Sequence, residues 1–387
     1  MADETSVVSS TGFLGRIKNS LGGAVFGLLL FLGSFGLLWY NEGRTVKTAS
    51  SLGKAAKEVV DLSTPVCAAA NEGKLVHFSG PAVADLCAAD AVFGLKPDAL
   101  RVERSVEMYQ WEEKSESTTK EKIGGGTETV TTYKYQKAWK TGRLDSSKFK
   151  TPEGHENPAL PWPAETFTAR PVKVGELTLG EVFLSRIGPS QPLPLSQGAL
   201  ASMPAELRRP EARLVENQVV TCDPAAPVLG AVRLSWTYVP NRTPVSVLGG
   251  QTGAGVGIHK IGGVDVSRLE NGIVPSATMV ANAKSENKTL AWILRLVGFL
   301  MMWIGLRMIL APLAMLLAFL PFLKNLAEFG IGIVTFLIAV VLSLLTIAIA
   351  WFFYRPVLSL CLLAAAAAAV IALIRYRRSK KAARAAA

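Results

Sequence analysis

The sequence predicts a multi-pass membrane protein with four transmembrane α-helices, one near the N-terminus and three near the C-terminus, and a large inserted β-rich α+β domain. Two uncharged stretches are the main evidence, residues 329–354 and residues 21–40. Each is long enough to cross the roughly 30 Å hydrocarbon core of a bilayer as a helix. The third observation is that apolar residues, 50% of the chain, concentrate at its two ends. A buried helix of a soluble protein is the alternative, but such helices rarely stay uncharged for so long.

The distribution of charge excludes one class of partner. The formal net charge is +11, but residues 375–387 alone carry six basic and no acidic side chains, and residues 41–291 are almost balanced. A nucleic-acid-binding protein would be expected to carry its positive charge on the folded domain. We therefore predict no nucleic-acid partner, and we interpret the basic tail as a cytoplasmic segment facing anionic lipid.

The N-terminal region is predicted to lead into the first span. Residues 1–20 form a cytoplasmic N-terminus with a short amphipathic segment, because the apolar residues from Phe13 onward fall near one helical face. Residues 21–40 form transmembrane helix 1 and end on Trp39 and Tyr40, whose rings favour the membrane interface. A cleaved signal peptide is the competing interpretation, but its apolar region would be shorter.

Residues 41–289 are predicted to form the extracytoplasmic domain. Alternating apolar residues at 100–112 and 127–139, with glycines between them, predict a long β-hairpin. The glycine-rich stretch 249–263 meets neither the dinucleotide nor the Walker spacing, so no nucleotide site is predicted there. A helical pattern of apolar residues after Asn41 predicts one amphipathic helix. Further strands are predicted at residues 74–78, 167–184, 213–221 and 231–239.

The C-terminal part is predicted to re-enter the membrane three times. Prolines and a short polar turn, from Pro321 to Glu328, separate the first two of these spans. The segments are transmembrane helix 2 (290–323), transmembrane helix 3 (329–354), transmembrane helix 4 (356–374) and the basic cytoplasmic tail (375–387).

Two arginines interrupt transmembrane helix 2. Arg295 lies near the start of the span, so its side chain can extend to the interface. Arg307 lies near the middle, where an unpaired charge costs at least about 2.5–3.5 kcal/mol. The sequence leaves two interpretations open: Arg307 turns inward to backbone carbonyls or a second subunit, or the helix lies so that Arg307 reaches the cytoplasmic interface.

Four spans place both termini on one side of the membrane, and the basic tail predicts that this side is the cytoplasm. The large domain would then lie on the far side. Four basic residues just after the first span oppose this orientation, but long loops can be translocated despite moderate charge. These residues are Arg44, Lys47, Lys54 and Lys57.

The residues that could carry chemistry are few. No C-x-x-C or zinc-ligand spacing is present, so neither a metal nor another cofactor is predicted. Cys67 and Cys87 are twenty residues apart and either form a disulfide in an oxidising compartment or remain free. An enzyme would need His77 or His155 as a base beside Glu107 or Glu156, and scattered histidines of this kind are more often structural.

Several motifs occur in an order that resembles the transmembrane protein 43 (LUMA) family. The resemblance covers about residues 13–375 and does not extend to the pattern of 249–263. The motif residues are Trp39, Tyr40, Asn41, Glu42, Gly43 and Arg44; Lys74, Leu75, Val76 and His77; Val106, Glu107, Met108, Tyr109, Gln110 and Trp111; Gly154, His155, Glu156, Asn157 and Pro158; and Trp351, Phe352, Phe353, Tyr354, Arg355 and Pro356.

The resemblance implies four spans, a luminal domain and a tendency to self-associate. Animal members reside in the endoplasmic reticulum and inner nuclear membrane and are regarded as scaffolds connected with lamins and emerin. The alanine-rich composition of this chain would suit a bacterial relative, with the protein in the inner membrane and the domain in the periplasm. No catalytic residues are established for the family, so none are carried over.

These observations together predict a non-enzymatic scaffold. Its expected partners are the lipid bilayer, further copies of itself and other membrane proteins. Binding of a lipid or envelope ligand by the β-rich domain is the alternative. A transporter or channel subunit, or a membrane-bound hydrolase, has less support in the sequence.

Overall fold

The long apolar stretches form continuous α-helices in the computed structural model, which describes residues 3–207, 212–316, 321–357 and 359–360. Three helices are long and apolar enough to cross a membrane. The predicted fourth span and the basic tail lie outside the described residues, apart from the first few positions of the span. The helices are α1 (Phe13–Glu58), α2 (Glu181–Leu184), α3 (Gln197–Ser202), α4 (Ser276–Leu316) and α5 (Pro321–Tyr354).

Helix α1 extends well beyond the predicted span at both ends. The amphipathic segment before residue 21 and the helical pattern after residue 40 belong to one helix of 46 residues. The helix continues through the motif at residues 39–44 because its polar side chains find partners on α4 and α5, as described below. Residues 3–11, for which the sequence predicted no regular element, form a strand before α1.

Helices α4 and α5 also differ from the prediction at their ends. Helix α4 begins at Ser276 rather than at residue 290 and contains Pro312. The predicted polar turn from Pro321 to Glu328 is wrong, because these residues form the start of α5. Proline is tolerated at the first position of a helix, where its missing N–H would have no intrahelical acceptor.

Most of the remaining chain forms β-structure. The long hairpin predicted at residues 100–112 and 127–139 is confirmed, and both of its strands, Ala99–Glu121 and Thr127–Thr141, are longer than predicted. In chain order the strands are β1 (Asp3–Thr11), β2 (Val60–Asp61), β3 (Leu75–Val83), β4 (Ala99–Glu121), β5 (Thr127–Thr141), β6 (Glu165–Thr168), β7 (Lys173–Val174), β8 (Leu177–Leu179), β9 (Gln191–Pro192), β10 (Arg213–Val215), β11 (Gln218–Val220), β12 (Val232–Pro240), β13 (Thr243–Thr252), β14 (Gly255–Gly257), β15 (Lys260–Ile261), β16 (Val264–Asp265) and β17 (Arg268–Asn271).

Two large sheets enclose one hydrophobic core. The first has the order β1-β5-β4-β12-β11-β10, with β6 on β4 and β9 on β12. The second has the order β17-β13-β14-β8-β7-β3-β2, with β13 also paired to β3. Val106 of β4 and Trp236 of β12 share one buried cluster with Phe78 of β3 and Val247 of β13, so the core lies between the two sheets.

The glycine-rich stretch is part of the second sheet. Gly249 and Gly250 belong to β13, and Gly250 pairs with Gly257 of β14. A Cβ atom on Gly249 would lie 2.9 Å from Phe183 Cζ and 2.8 Å from Gly257 O. Glycine is therefore required there by the close packing of neighbouring strands.

The described chain divides into two compact units. The β-rich unit contains residues 3–9, Ser51–Thr119 and Thr129–Asn282. The helical unit contains Ser10–Ser50, the hairpin tip Lys120–Glu128 and the described residues from Ala283 onward.

Candidate functional site

The motif residues of α1 lie where the three long helices of the helical unit meet, and Glu42 is at the centre of this cluster. The Glu42 side chain is fully buried and accepts two hydrogen bonds from the Arg295 guanidinium of α4, at 2.6 Å and 3.0 Å. The indole Nε1 of Trp351 on α5 donates to the same carboxylate at 2.8 Å. A buried carboxylate needs such partners to offset its lost hydration. Glu42 therefore connects all three helices, and we call Glu42, Arg295 and Trp351 the Glu42 cluster.

A second set of polar contacts joins α1 to α4 beside the Glu42 cluster. The Asn41 amide donates to Ala291 O at 3.0 Å, and Arg44 donates to Asn287 Oδ1 at 3.0 Å. In return, Asn287 Nδ2 donates to Thr45 O at 3.0 Å. These contacts use polar groups of both helices, so the positions of Asn41 and Arg44 are fixed by the fold.

Gly43 and Trp39 hold the end of α5 against α1. A Cβ atom on Gly43 would lie 2.7 Å from Cζ of Tyr354, so only glycine allows the ring this close. The Trp39 ring lies 5.1 Å from that of Phe353 and 5.7 Å from that of Tyr354, between centroids. Such contacts favour a fixed helix orientation.

The motif residues Arg355 and Pro356 follow the C-terminal end of α5. The Arg355 guanidinium lies 5.5 Å from the centre of the Trp351 ring, a cation–π distance. Its backbone N–H donates to Trp351 O at 2.7 Å. Pro356 follows and is exposed. Neither residue lies within hydrogen-bonding distance of Glu42 in the described contacts.

Helices α1 and α4 also approach closely further along their length. A Cβ atom on Gly27 would lie 2.5 Å from Met308 Cβ and 2.8 Å from Gly305 O. A Cβ atom on Gly305 would lie 2.7 Å from Gly27 O in turn. The two glycines thus let the helix backbones touch, as small residues do in membrane helix pairs.

In the β-rich unit the structure brings together two motifs that are far apart in the sequence. The His155 ring stacks on Tyr135 at 4.0 Å and meets the Trp111 ring edge-on at 4.8 Å, between centroids. Asn157 accepts a hydrogen bond from Trp111 N at 2.7 Å and donates to Trp111 O at 3.0 Å. The Asn157 amide therefore takes the place of a strand partner for the Trp111 backbone on β4.

Two further motif residues lie near this arrangement. The ring of Tyr109 lies 5.4 Å from that of Trp139, between centroids. Pro158 accepts a hydrogen bond at its carbonyl from Arg143 Nε at 2.9 Å. A Cβ atom on Gly230 would lie 2.9 Å from Pro158 Cγ, so this proline also packs closely on a turn.

The described partners of His77 differ from the glutamates considered for it from the sequence. His77 Nδ1 lies 2.7 Å from Asp61 Oδ1 and its Nε2 lies 2.9 Å from Val274 O, so its described partner is Asp61 rather than Glu107. His155 Nδ1 lies 2.9 Å from Thr151 O. Backbone hydrogen bonds from the segment around Gly154 lower the pKa of Glu156, which makes this carboxylate a weaker base.

The two cysteines considered for a disulfide are free thiols. The Cys67 thiol donates to Gly253 O at 3.2 Å, whereas the Cys87 thiol donates to Asp98 Oδ1 at 3.2 Å. The two side chains therefore have different neighbours, and the pairing alternative is not found in the structure.

Arg307, the other intramembrane arginine, has surroundings unlike those of Arg295. Its exposed side chain lines a cleft of about 530 Å³ between α4 and α5, beside Trp303, Asn325 and Glu328. The guanidinium carbon lies 5.9 Å from the centre of the Trp303 ring. Within the residues that the structure describes, the guanidinium makes no hydrogen bond to a backbone carbonyl, so this part of the inward-turning interpretation is not supported.

Sequence reasoning missed three partners in these arrangements. Asn287 was not singled out, and Trp351 was named only as a residue of the motif at 351–356. The pairing of Glu42 with Arg295 was also missed. Each charge alone would be costly beside an apolar helix, so the presence of two opposite charges at such positions could have predicted that they pair.

Comparisons with known proteins agree with the motif pattern. A family model described as "Transmembrane protein 43" matches residues 108–356. The chain is 31% identical to "Transmembrane protein 43" of Homo sapiens over 365 residues, covering 91% of this chain and 89% of the relative, and 31% identical to the Rattus norvegicus protein over 362 residues, covering 89% and 88%. It is 30% identical to the "Transmembrane protein 43 homolog" of Drosophila melanogaster over 161 residues, covering 41% and 43%. No solved structure matches significantly.

Proposed function

Because this integral membrane protein belongs to the transmembrane protein 43 family, we propose that it is a non-enzymatic scaffold, which self-associates and organises membrane proteins or lipids. Its helical unit anchors the chain in the bilayer. Its β-rich unit provides a large folded surface outside the lipid.

The Glu42 cluster is the observation that carries this proposal. Both carboxylate oxygens of Glu42 are bonded to groups of the same chain, and the side chain has no solvent-exposed surface. A catalytic or binding carboxylate must reach its substrate. This polar motif therefore links three helices, which suits a stable platform.

The chemistry of the β-rich unit supports the same proposal. Asn157 and the ring of His155 hold β4 through Trp111, as described above. In the described residues, no group of three or more metal-ligating side chains is found. These features favour a structural role for the motif, and they offer no arrangement of nucleophile and base.

The outer surface of the helices is suited to association within a membrane. Exposed large apolar side chains follow one another along α1 and α5, for example Phe26 and Leu29 on α1 and Leu337 and Leu344 on α5. Such surfaces contact lipid chains or other apolar helices. A second copy is one partner that fits them.

We further propose that the β-rich unit lies on the non-cytoplasmic side. The four spans predicted from the sequence and the basic tail support this orientation by the positive-inside rule. In a bacterium the unit would lie in the periplasm, and in a eukaryote in the lumen of the endoplasmic reticulum or inner nuclear membrane. The exposed thiol of Cys67 offers a test of sidedness. A membrane-impermeant maleimide should label it in sealed vesicles whose non-cytoplasmic face is outward but not in sealed vesicles whose cytoplasmic face is outward, and the reverse result would overturn this orientation.

Self-association is tested by native mass spectrometry of the full chain in a mild detergent, together with crosslinking in intact membranes before extraction. We expect more than one copy per particle and crosslinked dimers at membrane concentration. A particle with a single copy and no crosslinked dimer would overturn the scaffold proposal. Turnover of a substrate by that single copy would replace it with an enzymatic function.

A further inference from the structure

We propose that the cleft around Arg307 binds the headgroup of a glycerophospholipid, with the lipid phosphate on the Arg307 guanidinium. This site is independent of the proposed scaffold function, because a single subunit would bind the lipid. The cleft lies between α4 and α5 of the helical unit, and a smaller cavity of about 290 Å³ also borders Arg307.

The charge of Arg307 is the first argument. Arg295, on the same helix, is neutralised by Glu42 through two hydrogen bonds. In the described part of the chain, Arg307 has no such hydrogen bond or ion pair, and its side chain is exposed to the cleft. A charge within an apolar helix is costly unless an anion accompanies it. A phosphate is an anion of the right geometry, since guanidinium groups bind its oxygens at two points.

The level of Arg307 along the helices is the second argument. Trp351 and Glu328 are separated by about 35 Å of helix at about 1.5 Å per residue, which slightly exceeds the hydrocarbon thickness of a bilayer. With the aromatic end of α5 at one interface, Glu328 lies at the other. The guanidinium of Arg307 faces Gly332, one helical turn from Glu328. Gly332 is about 28 Å of helix from Trp351, so the guanidinium lies at the edge of the hydrocarbon core, from where a long basic side chain can extend to the lipid phosphates.

The lining of the cleft is the third argument. Asn325 adds a neutral polar group at the interfacial end, and the Glu328 carboxylate there can face only a cationic part of a headgroup, such as an ammonium, and not the phosphate. Trp303 and Phe336 lie towards the middle of the helices, with ring centroids 5.5 Å apart, and Phe336 is 40% exposed. Polar groups at one end and rings at the other match a phospholipid, whose headgroup and acyl chain meet at this level. They do not match a free anion, which would not need the rings.

Native mass spectrometry tests the site in the full chain. The detergent-purified protein is titrated with dioleoyl phosphatidylethanolamine and, separately, dioleoyl phosphatidylglycerol, so that the preferred headgroup is identified. We expect one tightly bound lipid per subunit, and at least about tenfold weaker binding in Arg307→Gln, since hydrogen bonds to charged groups have about this effect. Arg307→Lys should lose less, because it keeps the charge. Lys18→Gln is the matched control, because it removes an exposed cation at the start of α1 and should leave the affinity unchanged.

A second variant keeps the charge but fills the cleft. A Cβ atom on Gly332 would lie 4.0 Å from the Arg307 guanidinium, so Gly332→Leu can be accommodated while its side chain occupies the lipid position. It should also weaken binding, and it tests the site even if Arg307→Gln does not fold. Equal affinity in Arg307→Gln, Gly332→Leu and the parent protein would overturn the proposal.

Photocrosslinking locates the lipid. A diazirine-labelled phosphatidylethanolamine in phosphatidylcholine vesicles containing the protein should modify peptides around Trp303 and Phe329. Modification only elsewhere, or a cleft from which lipid is excluded because a second copy or another part of the chain covers it, would overturn the proposal. Complete displacement of the lipid by inorganic phosphate alone would also overturn it, because the site would then bind an anion without regard to the acyl chain.

Discussion

Glu42 and Arg295 lie 253 positions apart in the sequence and form a two-point ion pair in the helical unit, with distances of 2.6 Å and 3.0 Å. Each residue alone would place a charge inside an apolar helix contact. In the pair the two charges neutralise each other, and the hydrogen bond from Trp351 adds the third helix to the contact. The large sequence separation also means that the link forms only when the helical unit assembles.

Glu42→Gln is expected to destabilise the helical unit strongly. The substitution leaves the Arg295 guanidinium without its carboxylate, and breaking one partner of a buried pair costs about 3–5 kcal/mol. Unfolding in mixed micelles of mild detergent and dodecyl sulfate measures this loss.

Two further variants show whether the loss comes from the buried pair. Glu181→Gln breaks an exposed pair with Arg170 and should leave stability almost unchanged, because solvent screens exposed ion pairs. The double variant Glu42→Leu, Arg295→Leu removes both charges and should recover part of the stability lost in Glu42→Gln. A loss in Glu42→Gln no larger than in the control would show that the pair does not stabilise the helices.

Gly27→Ala is expected to push α1 and α4 apart. The new methyl group would lie 2.5 Å from Met308 Cβ and 2.8 Å from Gly305 O, and neither neighbour is the flexible end of a side chain. Gly36→Ala is the matched control on the same helix, because a Cβ atom there meets nothing within 4 Å. Alanine favours a helix over glycine by about 1 kcal/mol, so the control should be neutral or slightly stabilised. The melting temperature should therefore fall below that of the parent protein in Gly27→Ala and stay equal or rise in Gly36→Ala. Equal changes in the two variants would contradict the close contact.

The spans were predictable where the sequence is uncharged, but the helix ends were not. The stretch from Phe329 to Tyr354 lies within α5 as expected. Helix α1 continues past Tyr40 because Glu42 and Asn41 have partners on other helices, and a local pattern does not reveal such partners. The turn predicted at Pro321 was wrong for a similar reason. Proline breaks a helix in its interior but is tolerated at its first position, and the local sequence does not show which of the two applies.

In the β-rich unit, too, local features were predictable from the sequence and contacts between distant residues were not. The hairpin of β4 and β5 was predictable because its strands are adjacent in the sequence and alternate regularly. The pairing of β13 with β3, whose partners include Val247 and Phe78, joins distant residues and requires the complete fold. At the candidate site, individual motif residues were identified from the sequence, but the contacts among Glu42, Arg295 and Trp351 were not.

Asn157→Asp is expected to destabilise the β-rich unit. Asn157 Nδ2 donates to Trp111 O at 3.0 Å, and an aspartate oxygen there would face the carbonyl without a proton between them. The group is almost fully buried, so we expect a loss of about 1–3 kcal/mol or more at neutral pH. Acidification should restore part of the stability, because the protonated carboxyl can donate. Equilibrium unfolding followed by tryptophan fluorescence measures both effects.

Gln191→Glu provides the comparison for that experiment. It introduces the same charge at an exposed position on β9 of the same unit. Its stability should stay within about 0.5 kcal/mol of the parent protein, as is usual for surface substitutions. A similar loss in both variants would assign the effect to net charge rather than to the hydrogen bonds of Asn157.

The alkylation of Cys87 is expected to depend on Asp98. Partial burial and the hydrogen bond to Asp98 raise the pKa of the Cys87 thiol, while Asn241 and Cys87 hold the pKa of Asp98 low. Asp98 is thus charged and Cys87 protonated at neutral pH, and only the thiolate reacts with iodoacetamide. In the folded protein the rate at Cys87 should continue to rise with pH above about 8.5, the ordinary thiol pKa.

Asp98→Asn removes the negative charge beside the thiol and should lower the pKa of Cys87, so that alkylation near neutral pH becomes faster. Peptide mass spectrometry follows this rate, with Cys67 in the same sample as the internal measure of reagent activity. Glu181→Gln, which removes an exposed carboxylate paired with Arg170, should leave the Cys87 rate unchanged. An unaltered rate in Asp98→Asn, or a midpoint of the Cys87 pH profile at or below that of the unfolded chain, would contradict the Cys87–Asp98 hydrogen bond.

Because a disulfide would block alkylation entirely, labelling of both thiols without prior reduction also tests that Cys67 and Cys87 are unpaired.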